Sequence, residues 1–321
     1  MRRTRMNEII AEIRRHDEFV VIAHVHPDGD ALGSAVAMYL MLKNMGKKAF
    51  VCIEGNFPKK MEIVTQYCGD FIEPSESVFP CAIALDCGDT TRLGAASPLF
   101  YAAETRIVID HHHTNTGYGD FNLVRSYSAT GLILFELMGR MGYDIDAKTA
   151  NCLYVAISTD TGNFSYEATD EATLACAAKL RKAGADIPLI CEVMYKNRSY
   201  PETKLTGVAI DRIELFGNGR IALTYVLQSD YDALGAVKED CDDLINYARE
   251  IDGVEVAVFL RQIDGGKFKL SLRSRSCVDV SRIAAGFHGG GHIRAAGGTM
   301  EGTLKDCSAC IVKAVMEEIN K

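Results

Sequence analysis

Apolar residues run unbroken over positions 19–23, 81–85 and 107–109, and each run stops at a polar group: His24, Asp86 and Asp110. Runs this short and continuous suit strands buried on both faces, where neither direction of the side chains meets water. Positions 48–54 carry a fourth. Longer helix-compatible stretches separate them, of which 35–42 is apolar and free of glycine and proline. Alternating strands and helices predict an α/β domain, a parallel sheet with helices on both faces. Helical patterns continue over 129–141, 147–157 and 171–183, the last closed by Gly184. Positions 158–164 read as a loop with one central aspartate, Asp160. A buried strand gains no stability by ending in an acid, so the repetition at Asp86 and Asp110 points to function.

The pattern changes around 196–201, where polar residues and Pro201 mark a linker. Beyond it, short alternating runs at 213–216 and 220–226 flank Gly217-Asn218-Gly219, a hairpin signal. Runs at 254–260 and 267–272 around Asp264-Gly265-Gly266 give a second hairpin. The expected organisation is a catalytic domain over 1–190, a linker over 191–205, and a smaller α+β domain over 206–321 with a mixed or antiparallel sheet. A length of 321 residues accommodates two such domains.

Charge narrows the choice of partner. The net charge of -8 argues against a protein that coats long nucleic acid with a basic face. Within 261–294, however, seven Lys or Arg stand against two acids, beside His288-Gly289-Gly290-Gly291-His292. Serial glycines let backbone N–H groups close on an anion. Eleven cysteines, an odd number and scattered except for Cys307 and Cys310, read as reduced thiols, with that last pair structural. The start of the chain, 1–15, is basic and amphipathic, with Ile9, Ile10 and Ile13 on one face. No stretch approaches the ~20 apolar residues of a membrane span, so a cytoplasmic protein is expected.

The chemistry concentrates at His24-Val25-His26-Pro27-Asp28-Gly29-Asp30-Ala31-Leu32-Gly33-Ser34, on the turn from the first strand into the next helix. Pro27 fixes one backbone angle and Gly29 allows a bend, so His24, Asp28 and Asp30 can face one crevice. Two carboxylates and an imidazole so placed call for a cation: manganese, magnesium or zinc. Seven of eight histidines fall in three clusters, 24 and 26, 111 to 113, and 288 and 292. His24, Asp28, Asp30, Asp86, His111 and Asp160 together make six donors. That is too many for one catalytic ion with open positions and suits two sharing a carboxylate.

Asp110-His111-His112, with His24, Pro27, Asp28, Asp30, Asp86 and Asp160, resembles the DHH phosphoesterase superfamily. Gly289-Gly290-Gly291-His292, with Arg273-Ser274 upstream, resembles its associated C-terminal domain. Domain order and length most resemble the bacterial nanoRNase/pAp phosphatase branch. His26 and His113 depart from the usual pattern. The resemblance implies one metal on His24, Asp28 and Asp86 and a second on Asp30, Asp86, His111 and Asp160, with manganese as the usual ion. It implies hydroxide attack on phosphorus, with His112 donating to the phosphoryl or leaving oxygen and Asp110 orienting the site. Arg273, Ser274, Gly289, Gly290, Gly291 and His292 would bind substrate phosphates, and the substrate would lie between the domains. Expected substrates are very short oligonucleotides, dinucleotides or pAp, with no long duplex and no membrane, and a homodimer left open. Competing readings are a cyclic dinucleotide phosphodiesterase, a manganese pyrophosphatase, a RecJ-like exonuclease, and a nucleotide sensor without activity.

Overall fold

The computed structural model describes residues 5–55, 57–75, 77–241, 243–264 and 266–321. Part of the basic N-terminal segment and Gly265 of the second hairpin turn lie outside them. The chain forms two compact units, Met1–Asn197 and Arg198–Lys321.

The first unit carries a six-stranded sheet: β1 (Glu18–Ala23), β2 (Lys48–Cys52), β3 (Phe71–Ile72), β4 (Cys81–Leu85), β5 (Thr105–Asp110) and β6 (Phe121–Val124). The order is β3-β2-β1-β4-β5-β6, and every pairing is parallel. Strand residues alternate between two cores. Phe19, Val21, Ile83 and Ile107 pack with the helices Met6–Arg15, Gly29–Asn44, Thr130–Met141 and Ala147–Asp160. Val20, Ile22, Ala82 and Val108 pack with Leu93, Leu99 and Phe100 on the other face. Both faces are thus covered, as the continuous apolar runs require. Strand order reverses between β1 and β4, so their carboxyl ends border the crevice where open α/β sheets take ligands. Asp160 ends a helix and is not in a loop; the Thr159 and Thr161 hydroxyls bond back to the Val155 and Ile157 carbonyls at 2.8 and 2.6 Å.

The second unit holds a mixed sheet: β7 (Glu214–Phe216), β8 (Ile221–Val226), β9 (Val256–Asp264), β10 (Lys267–Ser274), β11 (Gly290–His292) and β12 (Ala295–Glu301). Its order is β11-β12-β10-β9-β8-β7, antiparallel except for β8 with β9. The segment read as a linker, 191–205, is helical over much of its length. Pro201 lies in the first turn of the helix Tyr200–Asp211, where its missing N–H costs nothing. Ser199 and Glu202 cap that helix reciprocally, at 3.0 and 3.2 Å.

Candidate active site

Loops converge at the carboxyl ends of β1, β4 and β5. Leaving β1, the chain passes His26, whose φ is +52°, and reaches Asp28, which accepts the Ala31 N–H at 3.0 Å and caps the helix Gly29–Asn44. Asp30 therefore sits inside the first turn. Gly29 is needed for space and not for a bend, since a Cβ there would lie 2.4 Å from the Thr159 hydroxyl oxygen.

Small residues bring the helices close enough to complete the pocket. A Cβ on Gly33 would lie 2.5 Å from the Cys152 carbonyl oxygen, and one on Gly131 2.6 Å from the Ala156 Cβ. This crossing sets buried Asp30 under the N-terminus of Thr130–Met141. The Thr130 and Gly131 N–H groups donate to its two oxygens at 2.6 and 2.9 Å, and the Ser34 hydroxyl adds 3.0 Å.

Asp86 follows β4 in the left-handed region, φ +59°, and is 2% exposed. Its Oδ2 lies 3.7 Å from Nε2 of His24, and its Oδ1 3.5 Å from Nε2 of His111. The Thr130 hydroxyl donates to Oδ1 at 3.0 Å. Each ring is anchored through Nδ1 on a backbone carbonyl, Val25 at 2.8 Å for His24 and Tyr127 at 3.1 Å for His111. That leaves Nε2 of both turned toward the carboxylates and able to take a cation. Asp28 stands 3.8 Å from the His24 Nε2, and Asp160 3.3 Å from the His111 Nε2.

Among the described residues, candidate ligand atoms within 4.8 Å of one another form three groups: His24, Asp28 and Asp86; Asp30, His111 and Asp160; Asp86, His111 and His112. All six sequence-derived metal candidates are therefore gathered in one crevice. Burial, then the neighbouring carboxylates, push Asp30 and Asp86 well above the usual carboxylate range. Burial also raises Asp160, more than His111 lowers it. Asp28 goes the other way: the desolvation of the crevice is overcome by His24 and the Ala31 N–H, and the carboxyl sits at about 2. Crowded acids that repel one another, with two imidazole nitrogens turned among them, fit divalent cations.

Around this set lies a hydrogen-bonded frame. His112 Nδ1 meets Asp110 Oδ1 at 2.7 Å, and Asn115 donates to Asp110 Oδ2 at 2.6 Å and to the Cys87 carbonyl at 3.0 Å. The Asp110 hydrogen bond raises the His112 imidazole against its burial, while Asp110, though buried, is lowered by the same contact. The sequence assigns no role to Ser34, Thr130 or Asn115. They are uncharged, and Thr130 lies 100 residues from the Asp30 it supports.

The second unit modifies the expectations more. The segment 288–292 is not an open loop, for Gly290–His292 forms edge strand β11 against β12. Glycine at 289 and 291 answers close backbone approach, a Cβ at 289 falling 1.9 Å from the Gly297 carbonyl oxygen and one at 291 falling 2.5 Å from that of Ala295. Arg273 and exposed His292 both face Ala295 in register, so they stand two strands apart on one side of the sheet. Ser274 does not join them. It is buried at the next position of β10, its hydroxyl 3.4 Å from the Ile293 carbonyl. Nor do the seven basic residues share one face: Arg261 is buried, Lys267 pairs with Glu301 at 3.0 Å, and Arg294 donates to the Val278 carbonyl at 3.1 Å. Cys307 is buried and Cys310 exposed on one helix, both as free thiols. Among the described residues no helix is long and apolar enough to cross a membrane.

Comparison with known proteins bears on this centre. Residues 18–157 match the model of the DHH family, N-terminal domain, and residues 218–321 that of the DHHA1 domain. The chain is 31% identical over 320 residues to the bifunctional oligoribonuclease and PAP phosphatase NrnA of Thermus thermophilus, spanning 98% of this chain and 94% of that one. To the NrnA of Bacillus subtilis it is 25% identical over 298 residues, 91% of this chain and 92% of the other. An exopolyphosphatase-related protein from Bacteroides fragilis superposes with a TM-score of 0.91 at 26% identity, covering 97% of this chain and 95% of that one.

Proposed function

From the premise that the chain belongs to the DHH family of phosphoesterases and carries a DHHA1 domain, we propose that it hydrolyses very short oligoribonucleotides to mononucleotides and removes the 3'-phosphate of pAp. The observation that carries this reading is Asp86, which offers one oxygen toward His24 and the other toward His111. A carboxylate so divided suits a pair of ions acting on one phosphate. The NrnA relatives, named for both activities, align over nearly their whole length and supply the substrate class.

His24, Asp28 and Asp86 would hold one ion, and Asp30, Asp86, His111 and Asp160 the other; mixed imidazole and carboxylate donors suit manganese. When bound, the pair neutralises phosphoryl charge and lowers the pKa of an attacking water. The chain's own groups do the rest. Asp110, held by Asn115, fixes the His112 ring so that it can donate a proton to the phosphoryl or leaving oxygen. Thr130 and Gly131 hold the Asp30 carboxylate in place, and Thr130 does the same for Asp86. Arg273 and His292, side by side across Ala295, take further phosphate of the substrate. With few cations available for phosphates and a net charge of -8, long strands are disfavoured.

The test is a series of initial rates for the manganese-loaded chain on pAp, pApA, cyclic di-AMP and oligoribonucleotides up to a 24-mer at fixed salt. Efficiency is expected to peak at about two to five nucleotides and fall with length. Equal efficiency on the 24-mer and the dimer would replace this reading with a processive exonuclease, and a cyclic dinucleotide cleaved fastest would replace it with a cyclic phosphodiesterase.

A further inference from the structure

Resting on the metal assignment proposed above, we infer that Tyr118 is a positioning residue for Asp86, its hydroxyl fixing the left-handed turn that aims the carboxylate between His24 and His111. On its amino side Asp86 is held by β5, its N–H donating to the Ile109 carbonyl at 3.1 Å. β4 ends at Leu85, so on the carboxyl side the turn depends on other partners. There the Cys87 carbonyl accepts both the Tyr118 hydroxyl and the Asn115 side-chain amide, each at 3.0 Å. Both of its lone pairs are thereby taken. Cys87 itself is fully buried, in the same core as Phe100. A residue other than glycine at a φ of +59° relaxes toward the ordinary regions unless its surroundings over-determine it. The two donors on the next carbonyl supply that constraint.

Tyr118 is itself braced. Its half-buried ring meets Phe100 edge to face, with centroids 5.5 Å apart. Ahead of it, the Asn115 N–H donates to the His112 carbonyl at 3.1 Å, and the Gly117 N–H to Asn115 Oδ1 at 2.8 Å. Behind it, Gly119 exchanges two bonds with the Asn122 side chain, at 3.0 and 2.7 Å, and lies so close to β5 that a Cβ would sit 2.9 Å from Val108. One tied-down segment thus carries His111 and also the donors that fix the Asp86 backbone. The 3.5 Å between Asp86 Oδ1 and His111 Nε2 is set within it. Ligand distances around a metal ion tolerate only ~0.2 Å, so a carboxylate on a turn free to relax would hold cations weakly. A ring serving packing alone would need no hydroxyl, and phenylalanine would fill the same place against Phe100.

The experiment compares wild type, Tyr118→Phe and Phe100→Leu as full-length chains. Tyr118→Phe removes the hydroxyl and keeps the ring, whereas Phe100→Leu loosens the ring contact and keeps the hydroxyl. Calorimetric titration of manganese into each metal-free chain is the first readout, and thermal unfolding of the same samples reports packing. Tyr118→Phe is expected to bind manganese about 10- to 100-fold more weakly, the usual cost of losing support behind a metal ligand. Phe100→Leu should unfold at lower temperature yet keep manganese affinity within about twofold, because a packing loss leaves the carbonyl's donors in place. On pApA at limiting manganese, Tyr118→Phe should lose turnover in proportion to its affinity and regain it as manganese is raised, with KM for the dinucleotide unchanged. Manganese affinity of Tyr118→Phe within about twofold of wild type overturns the inference, as does an equal loss of affinity in Phe100→Leu. A raised KM with manganese binding intact overturns it as well, placing Tyr118 against substrate. A wild-type chain that binds manganese but cleaves neither pAp nor pApA defeats the proposed function instead, and the titrations still decide Tyr118.

Discussion

Nδ1 of His112 lies 2.7 Å from Oδ1 of Asp110, a carboxylate with no exposed surface whose other oxygen is taken by Asn115. An imidazole held this way has one tautomer and one orientation, which a donor to a phosphoryl or leaving oxygen needs.

Asp110→Asn should therefore keep fold and metal content while lowering kcat by about 100- to 10,000-fold, as loss of an orienting aspartate does in other imidazole-based sites. KM on pApA should change little. Steady-state kinetics with parallel metal analysis checks this, and a large rise in KM with kcat intact would reassign Asp110 to substrate binding.

Asp86 faces the His24 and His111 nitrogens with different oxygens. Asp86→Ala should lower manganese content and reduce turnover by at least roughly 10,000-fold, more than any other single ligand change, because nucleophile activation and phosphate clamping fail together. Substantial manganese-dependent turnover in this variant would sink the shared-carboxylate assignment.

Thr130 donates its hydroxyl to Asp86 at 3.0 Å and its N–H to Asp30 at 2.6 Å. Thr130→Val removes only the first of these and keeps the shape of the side chain. Manganese affinity should fall by about 10- to 100-fold, the usual cost of losing a hydrogen bond to a ligating carboxylate. Calorimetric titration of the metal-free chain gives the answer; unchanged affinity would reduce Thr130 to a helix-capping role.

Glu255, in the second unit, is buried and accepts the N–H groups of Ser276, Cys277 and Val278 at 3.1, 2.7 and 3.0 Å, and the Ser276 hydroxyl at 2.7 Å. Burial alone would raise its carboxyl; the hydrogen bonds from Ser276, Cys277 and Val278 prevail and hold it at about 2, below the ordinary 4.5. A carboxyl lower in the folded state contributes its full stability above the unfolded value, and that contribution fades as pH falls from about 4.5 toward about 2. Glu255→Gln should thus cost about 2 kcal/mol at pH 7, with the gap from wild type closing in that acid window. Urea midpoints of both chains across pH 2 to 7 measure it.

Much of the centre was legible in the sequence because acids at the ends of apolar runs have no stabilising reason to be there. Asp86 and Asp110 stood out on that ground, and the histidine clusters reinforced them. Asp160 was misplaced because threonine and aspartate are weak helix formers, while hydroxyl back-bonds from Thr159 and Thr161 in fact carry the helix to it. Two strands, β3 and β6, are the short edges of the first sheet and leave little pattern. The glycine run misled because glycine is poor in strands; pairing with β12, with the backbone at 289 and 291 too close for any side chain, overrides that preference. Ser34, Thr130 and Asn115 carry no charge, so only three-dimensional proximity reveals them.

The left-handed backbone of Asp86, φ +59°, restricts what can replace it more than its charge does. Glutamate would keep the carboxylate but must adopt a conformation that longer side chains resist, whereas asparagine tolerates it. Asp86→Asn therefore offers a chain that folds with its main chain undisturbed and lacks the anion set between His24 and His111. Such a chain could hold an uncleaved dinucleotide long enough to be seen, making the turn after β4 a handle for trapping the enzyme with its substrate.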